Sequence, residues 1–162
     1  MSELDDYRSR VTAARGALAD TPLLGRGAPG RPDEATGERW DRGNVLGHVG
    51  EMLEYWTAQT RAVLGGAAEV GRGEAGYERR RQGIESGMSA GEEQLRERVL
   101  SGIDGLSQLL DEMRQEDLNR RIVYRAASST RDGDLRYVLE ELLVGHLEAH
   151  LRQLRELESG SV

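Results

Sequence analysis

The chain of 162 residues contains no cysteine, no lysine and no phenylalanine. The absence of cysteine excludes disulfide bonds, thiolate metal ligands and a cysteine nucleophile. Aromatic residues make up only 4% of the chain, so the core has to be built from Leu, Val, Ile, Ala and Met. A chain of this length is nevertheless long enough to bury a complete core in one domain.

Long apolar runs are missing as well. The N-terminal segment MSELDDYRSRV lacks the apolar stretch of a signal peptide, and no later segment is apolar enough to span a membrane. We therefore expect a cytoplasmic protein without a membrane partner.

The charge is predominantly negative. The net charge is −7 and the pI is near 5.1, which argues against nucleic acid as a partner. All 22 basic residues are arginines. Every cationic contact is therefore made by a planar guanidinium, which is well suited to ligands that carry carboxylates.

Apolar residues recur at intervals of three and four over most of the chain, which predicts helices. The first helix should begin at a capping-box pattern of Ser2 with Asp5 and end near Asp20. The second should begin at the N-cap Asp41 and stop at Gly65.

Two further long helices are predicted in the second half of the chain. One follows a second capping-box pattern, Ser89 with Glu92, and the other runs from the N-cap Asp134 to Leu157. Residues 66–88 between the two halves are ambiguous. Their apolar positions, which suggest a short helix, are Tyr77, Ile84 and Met88.

Four long amphipathic helices without a convincing sheet predict an all-α fold, a four-helix bundle formed by residues 1–162 as a single domain. Residues 21–38 hold all three prolines and should form a long loop, and residues 158–162 form a tail. The segment NRRIVYR is expected to be a short extended connection.

Three glycines, Gly43, Gly47 and Gly50, thin one side of the second predicted helix. Two interpretations are open. The glycines permit another helix to approach closely, or they leave room for a ligand.

The chain has three histidines, and all of them face the predicted interior. His146 and His150 are four residues apart and so point in nearly the same direction, along the leucine stripe of the last helix. His48 lies at the edge of the apolar stripe of the second helix. Because a histidine on a core face needs a partner, each is either hydrogen-bonded or bound to a metal, and the shared orientation favours the metal.

Three imidazoles are chemically suited to one divalent ion. Two from adjacent turns can each bind at about 2.0–2.1 Å, and a third from a facing helix completes a triangular set. Three neutral ligands leave an open position, which is typical of catalytic sites. Imidazole suits both zinc and nickel, so we expect one such ion at His48, His146 and His150.

Other metal sites match less well. A zincin needs a glutamate directly after its first histidine, but Glu148 lies two residues from each histidine and points away from the ion. Di-iron bundles need a glutamate three residues before each histidine, and these positions are Val45, Leu143 and Leu147. Haem is not excluded by the spacing, but the chain has no attachment motif.

Two segments that contain the histidines resemble the DinB-like superfamily, which includes the N-terminal domains of mycothiol-dependent maleylpyruvate isomerases. They are WDRGNVLGHVGEMLEYW at 40–56 and VLEELLVGHLEAHLRQL at 138–154, the latter preceded by RDGD. The isomerases tend to have a glutamate at the position of His146. The resemblance implies an up-down-down-up bundle, a divalent metal on the three histidines and a homodimer. It also implies a reaction that uses a low-molecular-weight thiol such as mycothiol or bacillithiol.

Three functions are open. The first is a metal- and thiol-dependent S-transferase or isomerase that takes a small thiol and an electrophilic substrate. Here Arg121 and Arg125 are candidates for holding carboxylates of the cofactor or substrate, although a solvated surface is the plainer interpretation. The second is hydrolysis by metal-activated water, for which Glu51 is the nearest glutamate in register, although a supporting or surface role is the plainer interpretation of this residue. The third is a non-catalytic, stress-related metal-binding bundle.

Overall fold

The computed structural model describes residues 1–87 and 89–158. The protein is mostly helical, at 66%. In chain order the α-helices are α1 (Glu3–Ala19), α2 (Arg42–Leu64), α3 (Glu74–Ser86), α4 (Glu92–Glu112), α5 (Leu135–Tyr137) and α6 (Val144–Glu158). The strands are β1 (Glu69–Gly71), β2 (Arg121–Arg125) and β3 (Thr130–Asp134). A 3₁₀ helix covers Gln115–Asn119, and a π-helical segment covers Val138–Leu143. Met88 and the predicted tail residues 159–162 lie outside the described residues.

The three strands form one mixed sheet in the order β1-β2-β3. β1 pairs with β2 in parallel, with Val70 opposite Tyr124, and β2 pairs with β3 in antiparallel fashion, with Val123 opposite Asp132. The prediction of an all-α four-helix bundle is therefore wrong, because the protein combines helices with a sheet. The expected extended connection NRRIVYR contains the central strand, and the polar sequence of β3 has no apolar alternation that would have revealed its partner.

Most helix ends follow the predicted capping chemistry. The Ser2–Asp5 capping box is present at α1, and Asp41 caps α2 through a reciprocal pair with Asn44. The Asp134 side chain accepts from the Arg136 amide at the start of α5. The predicted cap at Ser89 is wrong, since α4 begins after the N-cap residue Gly91. The cap at Asp41 matters most for the histidines, because it determines where the helix that carries His48 begins.

The core lies between α1, α2, α4 and the last helical run, and α2 packs against α3, α4 and α6. α3 crosses α2 at very short distance, because glycines from both helices meet there. A Cβ atom on Gly47 would lie 2.3 Å from the Gly83 carbonyl oxygen, and one on Gly43 would lie 2.4 Å from that of Gly87. Of the two interpretations of the α2 glycines, close helix approach applies to Gly43 and Gly47.

The last helical run changes its winding before it reaches the histidines. In the π-helical segment the Val144 amide donates to the Leu139 carbonyl, five residues back. This wider turn brings consecutive apolar residues into the core, and the buried ones are Val138, Leu139, Leu142, Leu143 and Val144. π-Helical turns inside α-helices occur often at functional sites.

None of the helices within residues 1–87 and 89–158 combines the length and the apolar content needed to cross a lipid bilayer.

Candidate metal centre

The structure brings the three predicted histidines together. His48 lies in the second turn of α2 and faces α6, which contributes His146 and His150. One ring nitrogen from each can be chosen so that all three lie within 4.8 Å of one another. The ring centroids are 4.7 Å apart for the two residues of α6, and 5.6 Å and 4.9 Å from His48 to His146 and His150. A possible three-histidine metal site is therefore present.

Trp40 forms a wall of this site. Its ring lies 5.8 Å from that of His150 in a stacked orientation and 5.0 Å from that of His48. The residue directly precedes the N-cap Asp41, so the start of α2 also fixes the position of the indole. The tryptophan is half-buried and shields one side of the imidazole group from water.

Hydrogen bonds orient two of the rings. The Nδ1 atom of His150 lies 2.9 Å from the Gln153 side-chain oxygen. Because this oxygen accepts, Nδ1 carries the proton and Nε2 keeps a free lone pair. His146 forms a hydrogen bond with the backbone of Glu141, in the π-helical segment. Metal-binding histidines usually donate their second ring N–H to an oxygen in this manner.

Two buried ring nitrogens have no hydrogen-bond partner within the described part of the chain: Nδ1 of His48 and Nε2 of His150. A buried polar atom without a partner is costly, so its presence indicates a ligand that completes it. Nitrogen lone pairs from a group of three imidazoles are what zinc or nickel requires. The residues present therefore fit a divalent ion.

Binding an ion requires a small closure of the rings. Three nitrogens at about 2.0–2.1 Å from a tetrahedral ion lie about 3.4 Å from each other. The nitrogens now lie within 4.8 Å of one another, so ring rotations that move each nitrogen by about 1 Å are sufficient. His48 is the most confined of the three, at 4% exposure.

Burial keeps the three imidazoles neutral. It lowers the pKa of His48 far below its usual range, and the neighbouring histidines add to this effect. Burial lowers the pKa of His150 to about 4, although the bond to Gln153 acts in the opposite direction. Burial also lowers the pKa of His146, against the effect of its bond to the Glu141 backbone. At neutral pH no proton therefore competes with a metal for these nitrogens.

The histidines are reached from two sides. A pocket of about 280 Å³ contacts all three, and its other main lining residues are Arg31, Asp33, Glu38, Trp40, Arg80 and Gln153. A second opening of about 350 Å³ contacts His146 and His150 beside Glu140 and Glu141. The open faces match the vacant coordination position that distinguishes catalytic from structural metal sites.

Five of these lining residues were not singled out in the sequence: Arg31, Asp33, Glu38, Arg80 and Gln153. Gln153 could have been found, because it follows His150 by three residues on a helix and so lies next to it. Arg80 had no local signal. It belongs to α3, within the segment that was ambiguous in the sequence, and it reaches the pocket only because α3 crosses α2 so closely.

The structure places the two candidate arginines of the sequence analysis on β2, and neither lines the pocket at the histidines. Arg125 forms an exposed bidentate pair with Glu69 and borders a different pocket of about 550 Å³ at the edge of the sheet. Arg121 is exposed and lies opposite Asp134 in the sheet. Their role in holding carboxylates stays a prediction.

Two glutamates that were considered as bases are already engaged. Glu51 is 2% exposed and forms a bidentate pair with Arg72, with both distances at 2.8 Å. Glu148 binds Arg10 of α1, which also binds Glu140, and so points away from the histidines as helical geometry predicted. Neither carboxylate is free to accept a proton at the metal centre.

No protein-family model, curated protein or solved structure matches this chain. The resemblance to the DinB-like superfamily stays a prediction from the two histidine segments.

Proposed function

We propose that the protein binds one divalent metal ion, zinc or nickel, through His48, His146 and His150. The observation that supports this most directly is the pair of buried, unpartnered ring nitrogens on His48 and His150 within a group of three neutral imidazoles. A purely structural histidine cluster would be expected to satisfy these nitrogens with hydrogen bonds.

We further propose that the protein is an S-transferase or isomerase that depends on this metal and on a small thiol such as mycothiol or bacillithiol. A divalent ion at this position would lower the pKa of a bound thiol and so supply a thiolate at neutral pH. The absence of cysteine means that the thiol comes from outside the chain. In a transfer, the thiol proton goes to solvent, sulfur bonds to an electrophilic carbon, and the displaced group leaves with its electron pair.

The shape of the site supports a reaction between two molecules. Both openings, of about 280 Å³ and about 350 Å³, reach His146 and His150 from different directions. A thiol cofactor can therefore occupy one opening while an electrophilic substrate enters the other. The need for a reduced thiol supports a cytoplasmic location, and the homodimer stays a prediction.

Hydrolysis is the second candidate function, and the position of Glu141 favours it. This exposed glutamate borders the second opening beside His146, whose pKa it raises through its charge. It is thus the best-placed carboxylate to accept a proton from water in that opening. The thiol reaction needs no such base, since thiols ionise more readily than water.

Metal content is the first test. The purified protein should contain about one divalent ion per chain by elemental analysis, and the double variant His146→Ala/His150→Ala should contain none. The double variant Gln94→Ala/Gln108→Ala on α4 is the matched control and should retain the metal. Full occupancy in the histidine variant would exclude the proposed ligands.

Thiol binding separates the two reactions. The cobalt-substituted protein should gain an intense near-ultraviolet charge-transfer band on titration with mycothiol, bacillithiol or glutathione, since thiolate sulfur would bind cobalt directly. The band should strengthen as the pH rises towards the lowered thiol pKa. A fully metallated sample that responds to none of the three thiols would eliminate the transferase in favour of hydrolysis or a non-catalytic role.

A further inference from the structure

The pocket beside the histidines is lined by two guanidiniums and two carboxylates. Asp33 is occupied by its own turn, where it accepts from the amides of Ala35 and Thr36. Arg31 is exposed and forms no ion pair with any carboxylate in residues 1–87 and 89–158. The pocket therefore contains a guanidinium, that of Arg31, whose charge no carboxylate of the described residues neutralises.

Arg80 lines the pocket beside the three histidines. Its guanidinium lies 5.7 Å from the centre of the Trp40 ring, which stacks on His150. Its charge also contributes to lowering the pKa values of all three histidines. The charge of Arg80 therefore acts on all three histidines. α3 holds this guanidinium in place through the contact of Gly83 with Gly47.

The partner of Arg80 in the structure is weakly held. One nitrogen of Arg80 lies 3.5 Å from one oxygen of Glu38, and both side chains are about one-third exposed or more. The Glu51–Arg72 pair, in contrast, is bidentate at 2.8 Å and buried. A long, exposed, single contact contributes little and is easily exchanged for another anion.

We propose that Arg80 is a specificity residue that binds an oxyanion of the electrophilic substrate, and that Glu38 occupies this guanidinium until the oxyanion replaces it. A carboxylate or a phosphoryl group presents the two parallel oxygens that a guanidinium binds best. Arg31, which lines the same pocket, supplies a second guanidinium. The substrate class rests on the proposed function, since the electrophilic carbon has to reach the histidine site. The oxyanion contact itself does not require the metal.

The test uses metal-free protein, so that anion binding is separated from metal binding. Succinate and inorganic phosphate are titrated separately at constant ionic strength, and the two tryptophan indole N–H signals are followed by NMR. Trp40 lines the pocket, whereas Trp56 is buried in the core at 4% exposure and serves as an internal reference. We expect at least one anion to shift the Trp40 signal and leave that of Trp56 unchanged. The tighter of the two anions identifies a carboxylate or a phosphoryl ligand.

Three variants assign the effect. Arg80→Gln should weaken anion binding by about tenfold or more, because a charge-assisted bidentate contact is lost. Glu38→Gln should strengthen it about threefold or more, because the competing carboxylate is removed. Arg79→Gln is the matched control on the same helix, with a side chain that is 53% exposed and outside the pocket, and should bind as the wild type does.

Cobalt affinity excludes a merely structural effect of Arg80. Removing a positive charge beside the histidines should leave metal binding intact or tighten it several-fold, whereas a distorted site would weaken it. Any one of three results would overturn the proposal. These are unchanged anion binding in Arg80→Gln, no stronger binding in Glu38→Gln, and a Trp40 signal that neither anion shifts. Failure of the wild type to bind metal would overturn the proposed function but leave the anion result valid.

Discussion

The Nδ1 atom of His150 and the side-chain oxygen of Gln153 lie 2.9 Å apart on successive turns of α6. This contact fixes the tautomer of the imidazole and leaves its buried, unpartnered Nε2 with a free lone pair. A hydrogen bond to the Glu141 backbone acts on the neighbouring His146. Two of the three proposed ligands are thus oriented before a metal arrives, which reduces the entropy lost when it binds.

Removing this contact should weaken the metal site without destroying it. We expect Gln153→Ala to lower zinc affinity about 10-fold to 100-fold, the usual effect of losing a group that orients a ligand. Gln153→Glu should restore or increase the affinity, because its carboxylate still accepts from Nδ1. Competition with a zinc-sensitive chelator measures these changes, with the exposed Gln94→Ala on α4 as control. Equal affinity of wild type and Gln153→Ala would contradict the orienting role.

The metal-free protein should lose stability on mild acidification. In the folded state the pKa of His150 is about 4, whereas an unfolded histidine titrates near its reference value of about 6.5. Below pH 6.5 the unfolded chain therefore binds a proton that the folded chain refuses. The free energy of unfolding should be highest above this pH and fall by up to about 1.4 kcal/mol per pH unit for each such histidine.

Urea unfolding at pH 7, 5.5 and 4.5 in the presence of a chelator measures this dependence. His150→Gln should reduce the slope by about one proton, or about 1.4 kcal/mol per pH unit. Added zinc should stabilise the wild type at pH 7 and lose its effect as the pH falls. An identical slope in the variant would show that His150 titrates normally in the folded protein.

The histidine group could be predicted from the sequence because its geometry is mostly local. Helical periodicity places His146 beside His150, and the apolar stripe of α2 places His48 towards the same interior. The helix caps at Ser2, Asp41 and Asp134 could likewise be predicted, because each involves residues at most three positions apart.

The sheet was missed because its contacts are not local. β1 has three residues and pairs with a strand about fifty positions later, with Glu69 opposite Val123. Neither β1 nor the polar β3 carries an alternating pattern, so only the final packing reveals them. The π-helical segment Val138–Leu143 could not be predicted either, since each residue in it is compatible with an ordinary α-helix. Arg80 reached the site through the crossing of α2 and α3, which depends on glycines in both helices.

That crossing can be tested by adding a single methyl group. In Gly47→Ala the new Cβ would lie 2.3 Å from the backbone oxygen of Gly83, so α3 has to move away. We expect a loss of about 1–3 kcal/mol in the free energy of unfolding, typical of overpacking. Gly105→Ala in α4 is the matched control, because nothing lies within 4 Å of its Cβ. It should gain up to about 1 kcal/mol from the higher helix propensity of alanine.

Displacing α3 should also affect the pocket, since Arg80 moves with the helix. In Gly47→Ala we expect weaker binding of the anion probe than in Gly105→Ala, at temperatures where both remain folded. A Gly47→Ala protein as stable as the wild type would show that α3 does not pack against α2 at this distance.

The buried pair of Glu51 and Arg72 should make a large contribution to stability. It joins α2 to the turn before α3, where Arg72 also donates to the Gly76 carbonyl and lies 4.2 Å from the centre of the Tyr55 ring. Glu51 follows His48 by three residues, so the pair also supports the helix turn that carries this histidine. We expect Glu51→Gln or Arg72→Met to cost about 3–5 kcal/mol, because each leaves a buried group without its partner.

The double variant Glu51→Gln/Arg72→Met distinguishes the cost of an unpaired charge from the value of the pair itself. If the unpaired charge dominates, the double variant should be more stable than Arg72→Met, which leaves the Glu51 carboxylate alone in the core. Arg61→Gln is the control for an ordinary exposed pair, since Arg61 and Glu112 are 40% and 46% exposed and should contribute about 0–1 kcal/mol. Urea unfolding of the four variants measures these differences. Single variants of the buried pair that unfold like Arg61→Gln would show that Glu51 and Arg72 are hydrated, and Glu51 would then become available as a base beside the histidines.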